Sequence, residues 1–166
     1  MFNFNEGRAR DDKISDITLA TDHVNSINCI IYTTSLQVFT SGAEFYVPAS
    51  PITPENVSVK PQTNLGSKRV RPVVIDGLTM FIQRTGKALY QFQYVDEFQS
   101  NESRSTSLAA PHLITDPTQL AVSQGSGESD ANYIYLISAT GDMTVINTQS
   151  FEGVQAFTRW SCEGSI

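Results

Sequence analysis

Short runs of alternating apolar and polar residues fill most of the chain, and turn residues separate them. The pattern is densest between residues 36 and 95. There two hairpins, LQVFTSGAEFYV and LTMFIQRTGKALYQFQYV, flank a proline-spaced crossing, PASPITPENVSVKPQT. A third hairpin, YIYLISATGDMTVINT, comes later. Period-two alternation over about four to eight residues is the signature of a strand with one buried face.

In chain order, Ile14, Ile17 and Leu19 predict a short edge strand after a polar start. Strands follow over 27–33, 36–40 and 44–47, with a turn at Ser41-Gly42 where glycine is free to take positive φ. Pro48, Pro51 and Pro54 forbid a helix or a central strand, so this is an extended surface connection. Residues 57–63 alternate, but Pro61 removes a backbone donor and makes them an outer strand. The second unit has strands at 70–75, 78–83 and 88–95, with turns at Asp76-Gly77 and around Gly86. Tyr90, Phe92 and Tyr94 share one face, which reads as core. Residues 96–107 are polar and read as a loop, and Pro111 limits 107–114 to a helical turn. Strands at 119–123, 133–138, 143–148 and 154–162 complete the third unit. They surround a loop at 124–132 and a turn at Thr140-Gly141-Asp142.

The units align on their turns: FTSGAEFYV, QRTGKALYQF and SATGDMTVIN. The turn glycines Gly42, Gly86 and Gly141 lie 44 and 55 residues apart. Propeller blades repeat at roughly 40–50 residues. The expected fold is therefore all-β and propeller-like, with blade-like units at about 24–63, 68–95 and 117–162. A β-sandwich is the alternative. Three blades do not close a ring, because propellers have about four to eight. The strand AFTRWSC near the end of the chain is a further reason to expect a single domain that is part of a larger protein.

At 40% hydrophobic the chain has ample core material, and its longest apolar run, 29–32, is far too short to cross a bilayer. A net charge of −6 argues against nucleic acid, and the one basic cluster, Lys68-Arg69-Val70-Arg71, reads as a solvated strand entry. Cys29 and Cys162 sit in apolar runs and read as buried thiols. With two histidines, His23 and His112, they do not make a Cys/His zinc site. Asp11, Asp12 and Asp16 lack calcium-loop spacing. Gly125-Ser126-Gly127 lacks the third glycine of a dinucleotide fingerprint. His112 has no nucleophile or carboxylate at a motif spacing and reads as structural. Glu44, Asp76, Glu97 and Asp142 sit at turns or strand ends, as solvated charges do. No cofactor and no metal site is expected.

The block VFTSGAEFYV, then SPITPENVSVKPQTNLGSKRVRPVVIDGLTMFIQRTGKALYQFQY, then SLAAPHLI, resembles the tail-nozzle or head-to-tail stabilisation proteins of short-tailed phages and prophages. Their pattern is a strand ending T-S-G-G-E, a G-P-L-T-P type crossing, Q-T-x-x-G-x-x-x-V-R-P-V, F-V-Q-R-x-G and S-x-L-x-P-H-L. It falls here on 40–44, 51–54, 62–73, 81–86 and 107–113, with Ala43 in place of the second glycine. The start, FNFNEGRARDDKI, is similar to the segment that precedes this block in the family. The resemblance implies a propeller-bearing structural subunit of a phage tail. Such a subunit resides in the virion, and in the bacterial cytoplasm before assembly. It forms a homo-oligomeric ring and contacts other tail proteins, with no catalytic residues. The prolines of the crossing, the loops at 96–106 and 124–132, and Trp160 are the candidate contact surface. A carbohydrate- or protein-binding propeller is the alternative. It needs exposed aromatics, and Trp160 and Tyr133 are its candidates, although both read as buried. An enzyme ranks last.

Overall fold

The computed structural model describes residues 25–48, 52–53, 56–95, 100–126, 130–149 and 154–161. Among them, twelve strands form three four-stranded antiparallel sheets, each an up-and-down meander. Sheet 1 holds β1 (Ile27–Tyr32), β2 (Leu36–Thr40), β3 (Glu44–Val47) and β4 (Lys60–Thr63). Sheet 2 holds β5 (Val73–Ile75), β6 (Leu78–Ile82), β7 (Leu89–Val95) and β8 (Ser100–Ser105). Sheet 3 holds β9 (Pro117–Ser123), β10 (Asn132–Ser138), β11 (Met143–Gln149) and β12 (Val154–Trp160). Two short 3-10 turns, Ser107–Ala109 and Pro111–Leu113, precede sheet 3.

The pleat explains the stacking. Along β6, Thr79 and Phe81 point to one side and Met80 and Ile82 to the other, and all four are buried. Phe81 meets Phe39 of sheet 1 at a ring-centroid distance of 5.2 Å, and Phe39 meets Phe92 edge-on at 5.6 Å. On the opposite side Met80, Ile82, Leu89 and Ile75 join Ile134, Leu136 and Ile146 of sheet 3 in the largest apolar cluster. Sheet 2 is thus the covered middle layer, which is why LTMFI is an unbroken apolar run apart from one threonine.

The sheets stack in the same strand order. β2 lies over β6, where Thr79 Oγ1 donates to Gln37 Oε1 at 2.7 Å. β4 lies over β8, where Ser103 Oγ is 3.0 Å from Thr63 Oγ1. Each linker returns from the last strand of one sheet to the first strand of the next, as between propeller blades. The stack is all-β and blade-like, and it is not closed.

The linkers strap neighbouring turns together in a repeated way. The turn residues Ser41, Arg84 and Ala139 each donate an N–H to the carbonyl of the linker ahead of their own sheet: Ser26, Gly66 and Asp116, at 3.0, 2.9 and 3.2 Å. The same linkers reach back to the preceding sheet. Ser67 N donates to Thr40 O at 2.8 Å, and Asp116 N donates to Gly86 O at 3.0 Å. Gly66 and Asp116 both have positive φ, 72° and 45°. Lys68 pins the second strap, donating to Asp116 and to the Pro117 carbonyl.

Several sequence expectations change. Residues 100–105, read as loop, form β8, so the second unit runs past residue 95 to Ser105. SNESRS carries no apolar alternation because it is an outer strand, and its backbone pairs with β7 from Val95↔Ser100 to Tyr90↔Ser105. The Asp76-Gly77 turn has positive φ at both residues, 51° and 75°, as a two-residue type I′ hairpin requires. Gly86 and Gly141 are likewise at positive φ, whereas Gly42 is not. A Cβ at Gly42 would lie 2.2 Å from Asn25 Oδ1, the end of a side chain that can turn aside. The edge strand expected at 14–19, and Pro51, Pro54 and Cys162, lie outside the described residues.

Candidate functional site

The two ends of the stack are apolar faces. On β1, Cys29 and Ile31 sit opposite Phe39 and Gln37 and face sheet 2. Ile30 and Tyr32 sit opposite Val38 and Leu36 and face outward. Ile27, Ile30 and Tyr32 are 57%, 53% and 65% exposed. On the same outer face Val38 and Phe45 are buried, packed with Ala43 and Val59. At the other end, Tyr133, Tyr135 and Ile137 of β10 and Met143 and Val145 of β11 share the outer face of sheet 3. Trp160, opposite Met143, is 51% exposed there. Tyr133 and Tyr135 stack at 6.4 Å.

Against expectation, Trp160 is not buried, because β12 is the edge strand of the last sheet and no further sheet lies on its outer face among the described residues. Tyr133 is half-buried, as is Cys29, which is a free thiol. His112, read as structural, is exposed in the second 3-10 turn. Pro48 is exposed. The sequence did carry one signal for β1. INCIIY is apolar on both of its faces, a pattern that fits a strand covered on both sides.

Beside the aromatic contact between sheets 1 and 2 lies a layer of buried polar groups, and sequence reasoning missed it. Glu44, expected to be solvated, is fully buried. Its Oε2 accepts from Thr63 Oγ1 at 2.6 Å and from Leu65 N at 3.3 Å, while Oε1 has no hydrogen-bond partner. Burial pushes its carboxyl up to about 6, against the opposing pull of the Thr63, Leu65 and Gly66 hydrogen bonds and of Arg84. Asn101, on the face of sheet 2 that meets sheet 1, has both side-chain polar atoms buried and unpaired. Glu44 is invisible as a buried group in the sequence because SGAEFYV reads as a turn followed by a strand.

The raised carboxyl gives a signed pH dependence. The folded chain holds the Glu44 proton at pH values where the unfolded chain, near 4.5, has released it. The stabilising contribution is therefore complete below about pH 4.5 and is lost as pH rises through about 6. A shift of this size corresponds to about 2 kcal/mol. In urea unfolding between pH 4.5 and 7.5, the difference in stability between the wild type and Glu44→Gln should change by about that amount. Parallel pH curves for the two proteins would rule the assignment out.

Two other candidate carboxylates, Asp76 and Asp142, have partners of their own. Asp76 accepts from Asn132 Nδ2 at 2.9 and 2.8 Å, tying the sheet 2 hairpin to β10. Exposed Asp142 pairs with Arg159 at 2.6 Å, and hydrogen bonds from Arg159 and Thr140 hold its carboxyl below the usual range. Glu97 lies outside the described residues. An open depression between the β6–β7 turn and the second 3-10 turn is lined by Thr85, Lys87, Pro111, His112 and Asp116, whose carboxylate is already bound to Lys68. Among the described residues no group of three or more His, Cys, Asp or Glu side chains comes together, and no helix is long and apolar enough to cross a membrane.

Comparison with models of known protein families finds none that matches the chain, and a search among curated proteins finds no match either. The phage-tail resemblance thus rests on the motifs quoted for it and draws nothing from these comparisons.

Proposed function

We propose that the chain is a structural module of a phage or prophage tail that works by assembly with itself and with neighbouring virion proteins, without catalysis. The observation that supports this reading best is the pair of apolar end faces on the open stack, with Ile27, Ile30 and Tyr32 at one end and Trp160 at the other. Contiguous exposed apolar surface of this kind marks an interaction site. The motif resemblance names the setting. Electron microscopy of the full-length protein should show ring-shaped particles that co-sediment with tails, and a strictly monomeric protein absent from tail fractions would overturn the proposal.

One observation favours a second reading, a carbohydrate-binding module. The exposed indole of Trp160 is the kind of aromatic surface that stacks on a sugar ring. A glycan-array signal lost in Trp160→Ala would establish it, and a blank array would remove it.

A further inference from the structure

The two contacts between sheets are built differently. Sheets 2 and 3 share the largest apolar cluster, which includes Ile82, Leu89, Ile134 and Ile146. The polar links of that contact, Asp76 with Asn132 and Lys68 with Asp116, sit out at a turn and a linker. Between sheets 1 and 2 the buried apolar residues are the rings of Phe39, Phe81 and Phe92. Beside the rings, Gln37 meets Thr79 and Thr63 meets Ser103, and Glu44 and Asn101 are buried with them.

Glu44 stands opposite Phe39, and so faces sheet 2. Its Oε1 and both polar atoms of the Asn101 side chain have no hydrogen-bond partner. A buried carboxylate is tolerated only where hydrogen bonds or a counter-charge compensate it. Arg84, exposed in the β6–β7 turn, is the charge that acts on Glu44. The other ionisable groups on the facing surfaces, among the described side chains, are Cys29, Tyr46 and Lys60 of sheet 1 and Tyr90 of sheet 2. Glu102 and Arg104 alternate with Ser103 and lie on the other face of β8. A negative charge on Glu44 therefore enters a layer that leaves one of its oxygens unpaired. Separating the sheets lets water reach that oxygen and the Asn101 amide together.

We propose that the contact between sheets 1 and 2 is a pH-sensitive joint, closed while Glu44 carries its proton and loosened when it does not, with sheets 2 and 3 staying packed. In the closed joint the carboxyl is pushed up to about 6, and in the open joint it returns to water and its ordinary value of 4.5. The joint is therefore at full strength below about pH 4.5 and weakens as pH rises through about 6. The contact between sheets 2 and 3 has no buried ionisable group among the described residues, so it does not follow. Partial opening of one contact ahead of the rest is the ordinary behaviour of a structure whose parts differ in apolar burial. The joint is independent of the assembly reading.

Four backbone amides report on the two contacts separately. Asn101 N donates across the joint to Gln62 Oε1 at 2.5 Å, and Ser67 N donates to Thr40 O at 2.8 Å. Asp116 N and Ala139 N make the corresponding bonds between sheets 2 and 3, to Gly86 O and Asp116 O. Hydrogen exchange of the full chain, followed by NMR and corrected for the intrinsic pH dependence of exchange, reads each one. Between pH 4.5 and 7.5 protection at Asn101 and Ser67 should fall about 15-fold, while protection at Asp116 and Ala139 stays level. Glu44→Gln, which cannot titrate, should abolish the fall. Arg84→Gln keeps the backbone strap but removes the charge that favours ionised Glu44, so it should carry the fall to higher pH. That variant tests the joint even if Glu44→Gln does not fold. Equal falls at all four amides, a fall that persists in Glu44→Gln, or one that ends at the same or lower pH in Arg84→Gln would overturn the proposal.

Discussion

Phe81→Ala is expected to lower the unfolding free energy by about 3–5 kcal/mol, the range for emptying a buried aromatic site. Phe81 is fully buried and lies 5.2 Å from the Phe39 ring and 5.9 Å from Tyr90. Phe39 in turn holds Phe92. These rings are the apolar part of the contact between sheets 1 and 2, and the rest of that contact is the polar layer of Gln37, Thr79, Glu44 and Thr63. Few apolar neighbours remain to collapse into the space, so the cost should fall toward the upper part of the range. For a chain of this length the melting temperature should drop by roughly 10 °C or more. A urea series showing a loss under about 1 kcal/mol would mean that the aromatic contact does not join these sheets.

Gly66→Ala is expected to cost about 3 kcal/mol, from two causes. At φ 72° an alanine is strained by about 1 kcal/mol. Its Cβ would also lie 2.4 Å from the Ser41 carbonyl oxygen, which is backbone and cannot rotate aside. The linker must move, which weakens the Arg84 N to Gly66 O and Ser67 N to Thr40 O bonds, each worth about 1 kcal/mol. Gly77→Ala separates the causes. Gly77 has nearly the same φ, 75°, but nothing within 4 Å of an added Cβ. It should therefore cost only the strain, about 1 kcal/mol. Equal losses in the two variants would show that the strap carries no stability.

The hairpins were legible in the sequence because they are local. Asp76-Gly77 supplies two adjacent residues that accept positive φ, and alternation on either side supplies the strands. Gly66 was not legible as a structural position. Its NLGSK setting contains no strand–turn–strand pattern, and what demands a glycine there is the Ser41 carbonyl, 25 residues earlier in the chain. Strand β8 was hidden for a related reason. An outer strand is held by its backbone, and SNESRS has no apolar side chains to announce it. The exposure of Trp160 was not legible, since the residue read as buried. Trp160 was named as a candidate, but its exposure follows from β12 being the last strand of the last sheet.

By itself the sequence determined an all-β chain of repeated hairpins, most strand positions and the turns at Asp76-Gly77, Gly86 and Gly141. These depend on the two-residue pleat and on φ at single positions, both properties of neighbours in the chain. The tertiary structure alone decided what covers each face. It placed sheet 2 between the other two, buried Glu44, and left Ile30, Tyr32 and Trp160 open at the ends. Alternation says that a strand has two faces. Which partner meets each face is set by contacts such as Gln37 with Thr79 and Asp76 with Asn132, 42 and 56 residues apart, and no local pattern encodes them.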